Sequence, residues 1–550
     1  MNTLPNSFKY AIIALLGAAL FIPFLGGVHL FDWDEINFAE CAREMIVTKD
    51  YIRAKIDFMP FWEKPPIFIW MQVLAMKMFG INEFSARFPN AIVGIATLIS
   101  VFYVGRKVMN GKVAFWWVAM YIASWLPHFY FKSGIIDPTF NLFIFLAFFQ
   151  VHLLHYDDKK PLHATLAGIF LGLAVLTKGP VAILVGLLSL GVYMVVQRRT
   201  LPFPKKYLWL TAISAALPFA GWLVAAIVVH GFEYARWFMT EFLTYQVRLF
   251  RTEDADHGGP FYYHFIILLI GCFPASPFLF QYFRNPHRSD SMHSKGFIKL
   301  MWVMFWVVLI LFSIVKTKIV HYSSLCYFPL TFLAAVQLYR ITEERQILKK
   351  SVLKTFIVVG AVFALLITLL PLVAMNKNAI APLIDDPFAR GNLQADVHWA
   401  WWECLPGVAY LGALVYVWAQ LKKQNFKVFG TLVIVQVLAI QSSIFHFTPK
   451  IEAYSQRAAL EFYESFKGQD VYIHSLDFKS YAVLFYAQKQ PFAAKEYYDN
   501  GKVNEIWLMN GTTDKPAYFI GKIQDSAKYA AFTQFTQLGV KNGFVFYKKK

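Results

Sequence analysis

Residues 10–28, YAIIALLGAALFIPFLGGV, run straight into 29–35, HLFDWDE. The first stretch is an unbroken apolar run of about the 20 residues that a helix needs to cross a bilayer. The second places Asp32, Asp34 and Glu35 at its exit. Lys9 precedes the run and no small-residue cleavage signature closes it, so it reads as a retained first span and not a signal peptide. The same pattern recurs along the chain. Scanning for apolar runs of spanning length gives about thirteen, near 9–28, 86–105, 113–131, 138–156, 163–178, 180–197, 207–230, 261–282, 298–315, 320–338, 353–374, 402–420 and 428–446.

Composition agrees. With 57% hydrophobic and 16% charged residues, the chain carries more apolar surface than a water-soluble fold can bury. The net charge of +18 does not mark a nucleic-acid partner, because the basic residues come as short clusters between apolar runs. These are Arg106-Lys107 to Lys112, Lys159-Lys160, Arg198 to Lys206, Arg284 to Lys295, Arg340 to Lys354 and Lys422 to Lys427. They fall at alternate connections, as cytoplasmic loops facing anionic lipid do. The other connections then face outward: 29–85, the segment around Asp137, 231–260, the turn 316–318 and 375–401. An odd number of spans from a cytoplasmic N-terminus also puts 447–550 outside. Four scattered cysteines, Cys41, Cys272, Cys326 and Cys404, signal neither a zinc knuckle nor a disulfide framework.

Within 29–85, residues 36–49 have amphipathic helical spacing and 66–79 are apolar but short for a span, so both read as helices lying in the interface. After 447 the chain alternates strand-like and helix-like pieces, as a small α/β domain does. The expected architecture is therefore an α-helical polytopic membrane protein of about thirteen transmembrane helices. A membrane domain (1–446), with two interfacial helices in its first outward loop, precedes a C-terminal soluble α/β domain (447–550).

Ionisable groups gather on the outward side. Beside Asp32-Trp33-Asp34-Glu35 stand Glu63-Lys64-Pro65-Pro66, Ser133 to Pro138 with Asp137, and Leu176-Thr177-Lys178-Gly179-Pro180. Further along come His257-Gly258-Gly259-Pro260 with Tyr262-Tyr263, and Lys316-Thr317-Lys318 with His321-Tyr322. Singly, a snorkelling lysine or a belt tyrosine explains such residues. Several together on one face of the membrane point to a site, because charges at the ends of apolar helices are costly.

In this order, these segments resemble the GT-C superfamily of membrane glycosyltransferases, most closely the branch holding protein O-mannosyltransferases and the aminoarabinose (lipid A) transferases. The resemblance covers nearly the whole chain. It implies a sugar donor on a polyprenyl (undecaprenyl) phosphate and a multi-pass protein of the bacterial inner membrane with its active site facing the periplasm. It puts Asp34 at the reaction centre with Glu35 beside it, and Asp137 where reacting groups are held or polarised. It makes Glu63 and His257 look like ligands of a divalent metal ion such as zinc. Lys64 looks like a contact to the carrier phosphate, and Lys178, Tyr263, Lys318 and His321 like further substrate contacts. Which of Arg236, Arg248 and Arg251 meets the carrier stays open. The particular reaction implied is transfer of 4-amino-4-deoxy-L-arabinose to lipid A; a glycan or a protein is the other kind of acceptor.

The chemistry calls for the same residue types. Attack at the anomeric carbon of a sugar phosphodiester expels a phosphate monoester, so negative charge grows on the leaving group and cations must meet it. A hydroxyl acceptor needs a carboxylate to take its proton, whereas a phosphate acceptor needs only to be oriented. Asp32-Trp33-Asp34 has the letters of the nucleotide-sugar DxD motif, but no nucleotide-binding βαβ unit surrounds it. A transporter or flippase of lipid-linked sugar would place charge near the midplane of several spans and show repeat symmetry, and an oligosaccharide polymerase or ligase would share the carrier; neither matches the Glu-Lys-Pro-Pro and Leu-Thr-Lys-Gly-Pro segments as well.

Overall fold

The computed structural model describes residues 5–197, 205–251, 258–284, 291–491, 493–499 and 502–550. The chain opens with α1 (Asn6–Phe21) and passes through α2 (Asp34–Thr48) and α3 (Ile67–Phe79). It then enters the bundle with α4 (Glu83–Val108), α5 (Gly111–Ala123), α6 (Trp125–Tyr130), α7 (Asp137–Tyr156), α8 (Lys160–Lys178), α9 (Val181–Gln197) and α10 (Lys205–His230). The outward connection 231–260 carries an amphipathic helix of its own, α11 (Phe232–Arg251). The later spans are Tyr263–Gly271 with Phe278–Arg284, then Met292–Ile314, Val320–Thr342, Lys350–Met375, Trp401–Lys422 and Val428–Ala453.

Every one of the apolar runs read from the sequence has a helical counterpart. Among the described residues, nine helices are by themselves long and apolar enough to cross a membrane. The chain is a multi-pass membrane protein. Three counterparts, α1, α5 and α9, are shorter apolar helices. The run 261–282 is broken, with 272–277 outside regular helix. Inside hydrocarbon, carbonyls freed by such a break need new donors. The Ser124 hydroxyl, at the α5–α6 kink, donates to the Cys272 carbonyl at 3.2 Å, and Ser276 Oγ donates to that of Leu269 at 2.6 Å.

Helices pack closely where small residues allow it. Gly168 and Gly172, one turn apart on α8, lie against the Thr211 and Ala215 carbonyls of α10, and a Cβ on either glycine would collide with them. The basic connections converge at one end of the bundle, where Lys107 pairs with Asp157 at 3.2 Å and Lys112 pairs with Glu343. The predicted cluster 198–206 lies outside the described residues except for Lys205 and Lys206.

At the opposite end, α2 and α3 occupy the positions predicted for interfacial helices, with one correction. α2 is buried on every side from Glu35 to Met45 instead of showing a face to lipid. Its Ile36, Ala39, Ala42 and Met45 share a core with Leu460, Tyr463, Leu484 and Phe485 of the C-terminal domain, which caps it. That domain is a mixed four-stranded sheet in the order Tyr472–Ser475, Ala517–Lys522, Phe544–Lys549, Phe535–Lys541, with only the first pair parallel. The last span continues past the predicted boundary at 446, through a π-helical turn, to Ala453. The Asp57–Lys489 ion pair and the Tyr498 hydroxyl, which donates to the Asp57 carbonyl at 3.0 Å, fasten the domain onto the first outward loop.

Candidate active site

Three helix ends build the site. Asp137 is the first residue of α7, with Pro138 after it, where a carboxylate complements the helix dipole and a proline costs no hydrogen bond. Lys178 is in the last turn of α8, at the cationic end of the same rule. α7 and α8 are antiparallel neighbours, so these two ends meet and Lys178 Nζ stands 2.5 Å from Asp137 Oδ1. Gly179 turns the chain with φ of +88°, and a Cβ there would strike the Phe242 ring. Leu-Thr-Lys-Gly-Pro thus spells a dipole-matched lysine, a left-handed cap and a helix start.

The third end is Asp34, at the start of α2. Its neighbour Glu35 holds it in place. The Glu35 carboxylate receives Arg87 Nε at 3.0 Å and Nη2 at 2.8 Å, and also the backbone N–H groups of Phe31 and Gly134 at 2.9 and 2.5 Å. Arg87 donates as well to the carbonyls of Leu25, Val28 and His29. Burial pushes the Glu35 carboxyl up, but the Arg87 guanidinium overrides it and holds the group below the usual carboxylate range. This pair ties the loop after α1 to the loop before α7, which brings Asp34 and Asp137 onto one cavity. Glu35, expected at the reaction centre, is therefore a positioning residue, its oxygens engaged by protein donors.

His321 stands between the two aspartates, with Nε2 3.4 Å from Asp34 Oδ2 and 3.8 Å from Asp137 Oδ2. It sits on the 3-10 turn Val320–Cys326. Ser324 Oγ braces that turn by accepting from Asn141 on α7 at 2.8 Å and donating to the His321 carbonyl at 2.5 Å. Asp137 is buried, with 4% of its side chain exposed, while Asp34 is 41% exposed toward the opening.

Asp34, Asp137, Lys178 and His321 line one cavity of 630 Å³. Asp34, Glu63, Lys64, Asp137, Lys178 and His321 supply its chemistry, and Phe38, Phe140, Val181, Val185, Phe312 and Leu325 its apolar wall. Lys64 Nζ lies 4.9 Å over the Tyr245 ring, and the Arg248 guanidinium 5.3 Å from the same ring. Of the three arginines left open, Arg248 lines the cavity; Arg236 is paired with Glu233 at 3.0 Å on the surface, and the Arg251 side chain lies outside what is described.

Lys318 and Tyr263 depart from expectation. Lys318 does not line the cavity, because Nζ caps the end of Met292–Ile314 by donating to the carbonyls of Phe312, Ser313 and Val315. Tyr263 is likewise absent from its wall and packs against His264. His257 lies outside the described residues. The C-terminal domain contributes a group that the sequence reading missed. Lys479 reaches the rim, 4.8 Å from both the Trp33 and Tyr481 rings, and Ser480 donates to the Asp32 carboxylate at 2.5 Å. No local motif marks either residue.

The mannosyltransferase model described as dolichyl-phosphate-mannose-protein mannosyltransferase matches residues 63–224, from Glu63 to α10. The chain superposes along 99% of its length on the crystal structure of ArnT from Cupriavidus metallidurans bound to undecaprenyl phosphate, with a TM-score of 0.74 and 16% identity, covering 98% of that chain. It is 28% identical over 369 residues to the undecaprenyl phosphate-alpha-4-amino-4-deoxy-L-arabinose arabinosyl transferase of Edwardsiella ictaluri, over 65% of each chain. The chain shares its fold with that ArnT structure. The relative of the same description from Pectobacterium atrosepticum is 28% identical over 428 residues, covering 76% of this chain and 72% of that relative. The fold is thus kept end to end, and the matched family segment contains Asp137 and Lys178.

Proposed function

We propose that the chain moves 4-amino-4-deoxy-L-arabinose from an undecaprenyl phosphate carrier to lipid A at the periplasmic face of the bacterial inner membrane. The observation that carries this reading is the single cavity in which Asp34, Asp137, Lys178 and His321 meet beside an apolar wall and the cations Lys64 and Arg248. The donor bond that breaks joins the anomeric carbon to the carrier phosphate, and the bond that forms joins that carbon to an acceptor oxygen. The departing carrier phosphate gains charge, which Lys64 and Arg248 meet in a low-dielectric pocket. Asp34, more exposed than Asp137, faces the acceptor and takes the proton of a hydroxyl or orients a phosphate. His321 links it to Asp137, and the ion pair with Lys178 holds Asp137 in place.

Lipid A mass spectra from cells with and without the gene test the substrate. The pentosamine-bearing species is expected to vanish with the gene. Unchanged lipid A with a hexose lost from envelope proteins would assign the acceptor to protein instead.

We also propose that Glu63 and His257 hold a divalent ion, zinc by the chemistry of a carboxylate and an imidazole. Glu63 lines the cavity, and the resemblance names His257, which lies outside the described residues, as its partner ligand. When bound, such an ion adds positive charge near the leaving phosphate. Glu63→Gln and His257→Ala are each expected to lower the zinc content of purified protein; content equal to wild type in both would leave Lys64 and Arg248 as the charge stabilisers.

A further inference from the structure

A second cluster of metal-ligating side chains lies away from the cavity, where the first outward loop, the start of α4 and the C-terminal domain meet. His29 follows α1, Glu83 is the first residue of α4, and Glu464 ends the helix Arg457–Glu464. One ligand atom from each lies within 4.8 Å of the others. Glu452, fully buried, takes His29 Nδ1 at 3.0 Å, which turns Nε2 toward Glu464 Oε1 at 3.7 Å. Arg457 already neutralises Glu452, with Nε 2.8 Å and Nη2 2.5 Å from Oε2. Glu83 interacts with the Tyr486 hydroxyl, which also accepts from the Leu30 N–H at 2.6 Å. Among the described residues, no lysine or arginine forms an ion pair with Glu83 or Glu464, so two carboxylates face one imidazole without a cation.

We propose that His29, Glu83 and Glu464 bind a zinc ion that clamps the C-terminal domain to the membrane domain. The donor set, one imidazole nitrogen and two carboxylate oxygens, suits zinc, with water as fourth ligand. Tetrahedral zinc with bonds of about 2.0–2.1 Å holds its ligands roughly 3.3 Å apart, so ligand atoms within 4.8 Å of one another need to close by at most about 1.5 Å. Glu464 is 44% exposed and free to make that movement. The Glu452–His29 hydrogen bond supplies the outer carboxylate that fixes the tautomer and aims the ring of a metal-bound histidine. The clamp stands just before Asp32 and Asp34 in the chain, so it would hold the loop that carries them under the C-terminal cap.

The site is independent of Glu63 and His257, and the test separates the two. Full-length protein in detergent, stripped with chelator and dialysed, is titrated with zinc alone, following binding by calorimetry and unfolding by temperature. Wild type and Glu63→Gln are expected to show a zinc-dependent rise in Tm. Glu464→Gln and His29→Gln are expected to lose that rise and to bind zinc at this site at least tenfold more weakly. Because Glu464 is half-exposed, its glutamine variant keeps the fold, as its Tm without zinc will show. A rise in Tm undiminished in Glu464→Gln and His29→Gln, a rise abolished by Glu63→Gln alone, or no zinc binding by wild type would each overturn the clamp.

Discussion

Asp34→Asn is expected to cut transfer by about 10²–10⁴-fold, the range that loss of a positioned proton acceptor removes, while leaving expression and folding intact. Asparagine preserves the size of the side chain and removes its charge. The carboxylate is 41% exposed and, among the described residues, pairs with no ionisable group but His321, at 3.4 Å, so the fold does not rest on it. The cost to α2 is the interaction of one first-turn carboxylate with the helix dipole, about 0.3–1 kcal/mol. Single-turnover transfer from lipid-linked sugar in proteoliposomes is the measurement. Activity within tenfold of wild type would reduce Asp34 to a solvated loop residue and shift the proton acceptor to His321.

Lys178→Met is expected to impair both stability and transfer, and a second substitution separates the two effects. Removing the lysine leaves Asp137, 4% exposed, as a buried charge without its cation, which costs about 3–5 kcal/mol. Lys178→Met with Asp137→Asn removes both charges together and is expected to recover most of the thermal stability, since replacing a whole buried pair is often close to neutral. Transfer is not expected to return, because the double variant lacks the carboxylate that faces His321 and the cation at the cavity wall. Thermal unfolding in detergent and transfer in proteoliposomes read the two quantities. A double variant as unstable as the single one would mean that Lys178 acts through packing against Phe140 and Tyr322 and not through its charge.

Several site residues were legible in the chain because their placement follows local rules. Asp137 before Pro138 reads as a helix start and Lys178 before Gly179-Pro180 as a helix end, and two consecutive spans joined at the opposite membrane face must bring such ends to the same side. Glu35 was misassigned because a carboxylate beside Asp34 has the same letters whether it faces substrate or Arg87; the partner lies 52 residues away on α4. Lys318 was misassigned for a similar reason, since the carbonyls it caps belong to the end of its own preceding helix and only the turn geometry aims its amine at them. Lys479 had no signal at all. It reaches the cavity only because the C-terminal domain docks on α2 through a shared apolar core.

The sequence by itself determined the membrane class, the positions of the apolar helices and the end of the bundle where ionisable groups collect, because hydrocarbon requires apolar, internally hydrogen-bonded segments and penalises charge along them. Tertiary structure alone decided which of those ionisable groups meet. Asp34, Asp137 and His321 come from segments more than a hundred residues apart, and their approach within 3.8 Å is set by the Glu35–Arg87 lock and the Ser324–Asn141 brace. Contacts of that kind depend on side-chain direction and on neighbours distant in the chain, and no local periodicity encodes either.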